Sequence, residues 1–163
     1  MAAVTRESGR LTMMCGLPGS GKSHYACRLK GTLVSTDSIR QFLTGDEGNL
    51  EYDPLVFAIA RAMIKFFLGR GHHVIYDATN LRRRDRGSIL RLAKGYPVTV
   101  VWVDSSLDLT LERNQGRERN VPEDVIKRMN QSLEPPDEVE GFSLVRVRPG
   151  REVKKASFPE IIG

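Results

Sequence analysis

The sequence predicts an α/β domain, a central parallel sheet with helices on both faces. Three observations predict it. Apolar strand-like runs alternate with helix-like segments along the chain, and such alternation builds parallel strands joined by helices. The first run, Leu11-Thr12-Met13-Met14-Cys15, is apolar at nearly every position, as befits a strand covered on both faces. Directly after it, Gly16-Leu17-Pro18-Gly19-Ser20-Gly21-Lys22-Ser23 fills every fixed position of G-x-x-x-x-G-K-[ST].

The elements follow in order. Residues 1–10 read as a flexible lead-in and 11–15 as the first strand. A helix is expected over 22–30, stopping at Gly31. A short second strand over 33–37 ends on Asp37, and a helix over 38–43 leads into the loop 45–48. Asp53-Pro54 starts a longer helix, with a capping side chain followed by proline at the first position. Its expected core face is Leu55, Ile59, Met63 and Phe66, and Gly69 and Gly71 end it. Residues 73–78 read as the third strand, 81–94 as a helix, and 98–104 as the fourth strand. A helix over 107–114 runs into the polar, arginine-rich break 115–120. Pro122, Glu123 and Asp124 open another helix, since acids suit a helix N-terminus. The last strand is expected over 142–147. The domain thus spans 11–147, and 148–163 is a tail to which no element is assigned.

In open parallel sheets ligands bind at the carboxyl ends of the strands. That rule gathers the glycine-rich segment, Asp37, Asp77–Asn80 and the residues after Asp104 on one rim. The segment 16–23 is a phosphate-binding P-loop: its glycines let backbone N–H groups turn inward around phosphate oxygens. Lys22 supplies charge to the β- and γ-phosphates, and the Ser23 hydroxyl is placed to ligate Mg²⁺. A nucleoside triphosphate, ATP or another NTP, is therefore the expected ligand. Gly16, Pro18, Gly19, Ser20 and Gly21 form the cradle.

Four further groups carry candidate chemistry. Asp37 with Arg40 forms D-x-x-R: either a general base with a phosphate clamp one turn later, or a helix cap with a surface arginine. Asp77 is either the Mg²⁺-side carboxylate or an organiser of its loop, with Thr79 or Asn80 capping the next helix. Arg82, Arg83, Arg84 and Arg86 crowd a helix start, where cations oppose the helix dipole. They either serve phosphate or form a solvated charge run. Arg113, Arg117 and Arg119 surround the polar break, as a short lid reaching the transferred phosphoryl group or as an exposed basic helix end. His72 and His73 have no third ligand at metal spacing and read as structural.

Composition sets the outer limits. The 163 residues make one domain with room for a core, and 40% hydrophobic with 28% charged residues is ordinary for a globular protein. No apolar stretch suits a membrane span and no signal peptide is evident, so a cytoplasmic protein is expected. Cys15 and Cys27 are expected as buried thiols, not a disulfide or metal site. A net charge of +5 favours an anionic partner, which a nucleotide alone could satisfy.

Taken together, 16–23, Thr36-Asp37-Ser38-Ile39-Arg40-Gln41, Asp77-Ala78-Thr79-Asn80-Leu81 and Arg113-Asn114 with Arg117 and Val121-Pro122 resemble the polynucleotide 5′-hydroxyl kinases, the kinase domains of end-healing RNA and DNA repair enzymes. The similarity runs over about 11–147. It implies an adenylate-kinase-like P-loop NTPase fold with a short lid. It also implies transfer of an NTP γ-phosphate to the 5′-OH end of RNA or DNA. By this resemblance Lys22 and Ser23 hold the donor phosphates and Mg²⁺, Asp37 is the general base, and Arg40 contacts the acceptor phosphate. Arg117, with Arg113 beside it, works from the lid. Asp77, Thr79, Asn80 and Arg83 are expected on the acceptor side, although the run Arg82–Arg84 lies outside the shared pattern. A small-molecule kinase of the same fold, acting on a sugar, nucleoside or antibiotic, is the second reading, and a regulatory ATPase the third. RNA or DNA, the preferred NTP, and the oligomeric state stay open.

Overall fold

The computed structural model describes residues 8–118 and 120–150. Most of the expected lead-in and most of the expected tail lie outside the described residues, as does Arg119. The chain runs β1 (Arg10–Cys15), α1 (Lys22–Ala26), β2 (Thr32–Ser35), α2 (Thr36–Thr44), α3 (Asp53–Gly69) and β3 (His73–Asp77). It continues with α4 (Arg83–Leu92), β4 (Val98–Val103), α5 (Leu107–Gln115), α6 (Glu123–Ser132) and β5 (Ser143–Val147). A short 3₁₀ turn, Glu138–Glu140, precedes β5.

The five strands form one parallel sheet in the order β2-β3-β1-β4-β5. β1 is therefore central, bonded to β3 on one side and β4 on the other. Alternation along it feeds two cores. Leu11, Met13 and Cys15 pack with Ala60, Ile64 and Leu68 of α3 and Ile89 of α4. Met14 packs on the opposite side with Ala26, Ile75, Val101 and Val103. Two covered faces explain why β1 is apolar at consecutive positions.

The expected α/β architecture is the observed one, with local differences. The helix after the P-loop ends at Ala26, not near Lys30. Bonds from Arg28 N–H to Tyr25 O and from Leu29 N–H to Ala26 O tighten the chain into i→i+3 geometry there. Cys27 sits past the inward-facing Ala26 and is exposed, contrary to the expected buried thiol, while Cys15 is buried. α2 begins at Thr36 because the Ser35 side chain caps it, accepting from Ser38 N–H at 3.2 Å. Asp37 thus lies in the first turn of a helix, not at a strand end.

α3 has its expected span but a different buried face. Val56, Ala60, Ile64 and Leu68 are covered, while Leu55 and Phe66 are exposed. The helix is apolar at two adjacent i, i+4 rows, so periodicity alone could not choose between them. The smaller Ala60 lies on the chosen row, under the sheet. Among the described residues no helix is long and apolar enough to cross a membrane.

Candidate functional site

A cleft of ≈ 1130 Å³ opens at the carboxyl ends of the strands. Pro18, Gly19, Gly21, Lys22 and Ser23 form one wall, Thr36, Asp37 and Arg40 another, and Thr79, Arg113 and Arg117 also line it. These residues come from four separate loops and helix starts, and parallel connectivity delivers all four to one rim.

The P-loop owes its shape to close approaches. Gly16 has no room for a side chain: an added Cβ would lie 2.7 Å from Ser20 Oγ and 3.0 Å from the Val103 carbonyl oxygen. Gly21 adopts φ +95, a left-handed conformation that side chains disfavour, and it turns the chain into α1. Lys22 follows as the first helical residue. It is only 8% exposed and lines the cleft. Gly16 and Ser20 lie behind the cleft wall. The Gly16 N–H donates to Thr79 O at 3.0 Å, tying the P-loop to the loop after β3. Arg113 Nη1 donates to Ser20 O at 3.2 Å, which seats α5 on the P-loop from the other side.

Ser23 Oγ donates to Asp77 Oδ2 at 2.7 Å. The second carboxylate oxygen, Asp77 Oδ1, is buried with no hydrogen-bond partner among the described residues. A buried carboxylate oxygen is costly to leave unmet. A hydroxyl and a carboxylate beside a phosphate cradle are the hard oxygen donors that Mg²⁺ takes, directly or through its waters. The residues present therefore fit the ion.

Asp37 is 57% exposed at its side chain and takes Arg40 Nη1 at 2.7 Å. Arg40 is buried. Its Nε and Nη2 meet Asp53 Oδ1 at 2.9 and 2.8 Å, and its Nη1 also donates to the Glu47 carbonyl at 3.2 Å. The guanidinium expected to clamp an acceptor phosphate is thus engaged by protein groups, and the alternative of a surface arginine is not what forms. Asp53, expected as a helix cap, is the partner that sequence reasoning missed; Tyr52 holds the cap position instead.

Asn80 does not reach the cleft. Its Nδ2 donates to Met14 O at 2.7 Å and it adopts φ 47, holding the loop after β3 against the end of β1. The arginine-rich start of α4 divides. Arg86 is fully buried, bidentate to Glu140 at 2.9 and 2.7 Å, and its Nη1 donates to the carbonyls of Asn80 and Leu81. Burial works against its charge, but the Glu140 hydrogen bond and nearby negative groups outweigh that and hold the guanidinium above its ordinary range. Arg86 is therefore structural. Arg83 and its neighbours Arg82 and Arg84 line a separate depression, not the cleft. Glu140 carried no sequence signal.

Around the polar break, Asn114 is the organiser. Its side chain accepts from Val121 N–H at 2.9 Å and donates to Val121 O at 2.7 Å, closing the loop that presents Arg117. Arg117 is exposed and makes no ion pair among the described residues. His73 bonds Thr12 Oγ1 and the Lys30 carbonyl, and burial, then Arg10, lowers its pKa. Burial also pushes the Cys15 thiol up to about 12, so it stays neutral. Among the described residues no group of three or more His, Cys, Asp or Glu could hold a metal.

A phosphate loop backed by a carboxylate on the neighbouring strand, with Arg113 from α5 and Arg117 from the short closed loop after it, defines a P-loop domain of the kinase type. The chain belongs to the AAA domain family (AAA_33), whose model matches residues 11–136. It is similar to L-seryl-tRNA(Sec) kinase of Methanococcus maripaludis, 28% identical over 138 residues, 77% of this chain and 53% of that protein. Among solved structures it resembles a chain of the Pnkp1/Rnl/Hen1 RNA repair complex, with TM-score 0.69 and 19% identity over 82% of this chain and 46% of that one. It also resembles a gluconokinase from Sinorhizobium meliloti 1021, with TM-score 0.58 and 22% identity over 88% and 84% of the two chains. The chain thus spans about half the length of the tRNA kinase and of the repair-complex chain. At these identities the structural likenesses show the fold.

Proposed function

We propose that the protein is a polynucleotide 5′-hydroxyl kinase, moving the γ-phosphate of ATP or another NTP to a 5′-OH end of RNA or DNA. The observation that carries the reading is the exposed Asp37 carboxylate, which shares one cleft with Lys22 and Ser23. The carboxylate, held by the buried Arg40, stays open to the cleft, where an acceptor hydroxyl can meet it.

In this reading the P-loop amides and Lys22 hold the donor's β- and γ-phosphates. Ser23 and Asp77 would hold Mg²⁺, which neutralises charge on the phosphates when bound. Asp37 takes the proton of the acceptor hydroxyl as its oxygen bonds to the γ-phosphorus. The bond from that phosphorus to the β–γ bridging oxygen breaks, and the nucleoside diphosphate leaves. Arg40, fixed by Asp53, orients the Asp37 carboxylate. Arg117 and Arg113 offset the charge spreading over the transferred group. The similarity to a tRNA kinase and to an RNA repair chain, together with the net charge of +5, supports a nucleic-acid acceptor.

The likeness to a gluconokinase over most of both chains favours a small-molecule acceptor as the second reading. One experiment separates them. The protein is incubated with γ-labelled ATP, Mg²⁺ and a panel of 5′-OH oligonucleotides, nucleosides and sugars, with Lys22→Ala as control. Label on oligonucleotides, absent with Lys22→Ala, is expected. Label on a sugar or nucleoside alone would overturn the polynucleotide reading.

A further inference from the structure

Outside the cleft, a concave depression of ≈ 720 Å³ is lined by Arg82, Arg83, Arg84, Arg91, Ser132 and Glu134, with Gly87 and Gln131 between them. We infer that this depression is a second phosphate-binding surface, which takes the backbone of a single polynucleotide strand whose 5′ end sits in the cleft. It has this use only if the cleft takes a polynucleotide end, and so rests on that reading.

The charge there is unbalanced. Glu134 Oε2 accepts the Arg83 backbone N–H at 2.6 Å, standing in for the side-chain cap that Arg82 does not give α4. Asp85 lies 3.5 Å from Arg84, and both are well exposed. Among the described residues Arg82 meets no carboxylate; its Nη2 donates to the neutral Ser132 hydroxyl at 3.4 Å. Arg83 is 3.8 Å from Glu140, whose carboxylate is already bidentate to Arg86. Arg91 makes no ion pair among the described residues. Three arginines at the start of a helix each oppose its dipole. A bound anion would reverse that cost.

The chemistry of the lining selects the anion. Every lining residue is polar or glycine, so the aromatic and aliphatic anchors of a protein interface are missing. Planar guanidinium forks suit phosphate oxygens. The position selects a strand continuing from the cleft. Thr79 lines the cleft and Arg83 lies four residues later, which places their Cα atoms at most about 14 Å apart. A stacked strand at about 3.4 Å per nucleotide crosses that gap between cleft edge and depression in about four nucleotides at most. Arg91 lies eight residues beyond Arg83, just over two helical turns and about 12 Å further along α4.

The test compares two acceptors with the whole chain: a nucleoside 3′-monophosphate, too short to leave the cleft, and a 5′-OH 12-mer. The variant is Arg84→Gln with Arg91→Gln, both exposed positions whose change keeps helix-forming side chains; unchanged thermal unfolding checks the fold. The KM for the 12-mer is expected to rise about tenfold, and its salt slope to fall by roughly 1.4, for two lost phosphate contacts on a single strand. The KM for the monophosphate is expected to stay put. An unchanged KM for the 12-mer, or an equal rise for both acceptors, would overturn the second surface while leaving the kinase reading intact. A wild-type protein that labels neither acceptor would overturn the polynucleotide reading, and this inference with it.

Discussion

Arg86 and Arg117 carry the same guanidinium into opposite circumstances. Arg86 is fully buried, its fork closed by Glu140 and its Nη1 spent on two backbone carbonyls. Arg117 is exposed on the cleft wall, presented by a loop that Asn114 closes. A buried guanidinium without its carboxylate is severely destabilising, so Arg86 can only hold the frame. An exposed one costs little to leave open, so Arg117 is available to a ligand. Arg40 stands between them, buried like Arg86 yet touching Asp37, a cleft residue, like Arg117.

Substitutions at four positions test this division. The largest effect is expected from Asp37→Asn, which keeps size but cannot take a proton: kcat should fall about 10²–10⁴-fold. Thermal stability should barely move, because the carboxylate is half exposed and Arg40 keeps Asp53. If donor binding falls instead and kcat survives, Asp37 belongs to the frame.

Glu140→Gln acts on the opposite side of the comparison. It strands the Arg86 charge in the interior and should cost about 3–5 kcal/mol of stability, or roughly 6–20 °C in Tm for a domain of this size. Activity per folded molecule should survive. Retained stability with lost turnover would erase the distinction.

Arg117→Ala should lower kcat by about 10²-fold, with little change in donor KM or Tm. Lysine there should rescue only in part, since a point charge lacks the planar fork. A drop in Tm would place Arg117 with Arg86.

The smallest effect is expected from Arg40→Lys. An ammonium can meet Asp37 or Asp53 but not both with the same geometry, so about 1.5–3 kcal/mol of stability should go, and kcat with it. Acceptor KM should not change. A raised acceptor KM at unchanged Tm would mean that Arg40 meets the acceptor after all.

The sequence displays these roles unevenly. β1 and the P-loop were legible because the motif is contiguous and each of its positions has a local reason. The sheet followed from alternation alone. The buried face of α3 was not legible, because Leu55, Ile59 and Val56, Ala60 offer neighbouring apolar rows, and only packing against the sheet decides. Nor was the split among the α4 arginines. Arg86 is told from Arg83 by a carboxylate 54 residues away, on a 3₁₀ turn with no apolar pattern of its own. Arg40 similarly needs Asp53, and a residue read as a cap gave no hint of that pairing. Local chemistry is written locally, whereas the partner of a buried charge is set by topology.

The central place of β1 governs when this protein can first become competent during its synthesis. The P-loop strand is the first to be made, yet its neighbours are β3 and β4. The carbonyl of Val103 also crowds Gly16, and Asn80 pins the Met14 carbonyl. A nascent chain carrying the whole P-loop therefore has no finished place to put it until Val103 has cleared the ribosome. Non-local pairing of this kind forms late and slowly. Nucleotide therefore has no finished cradle to bind until β3 and β4 flank β1.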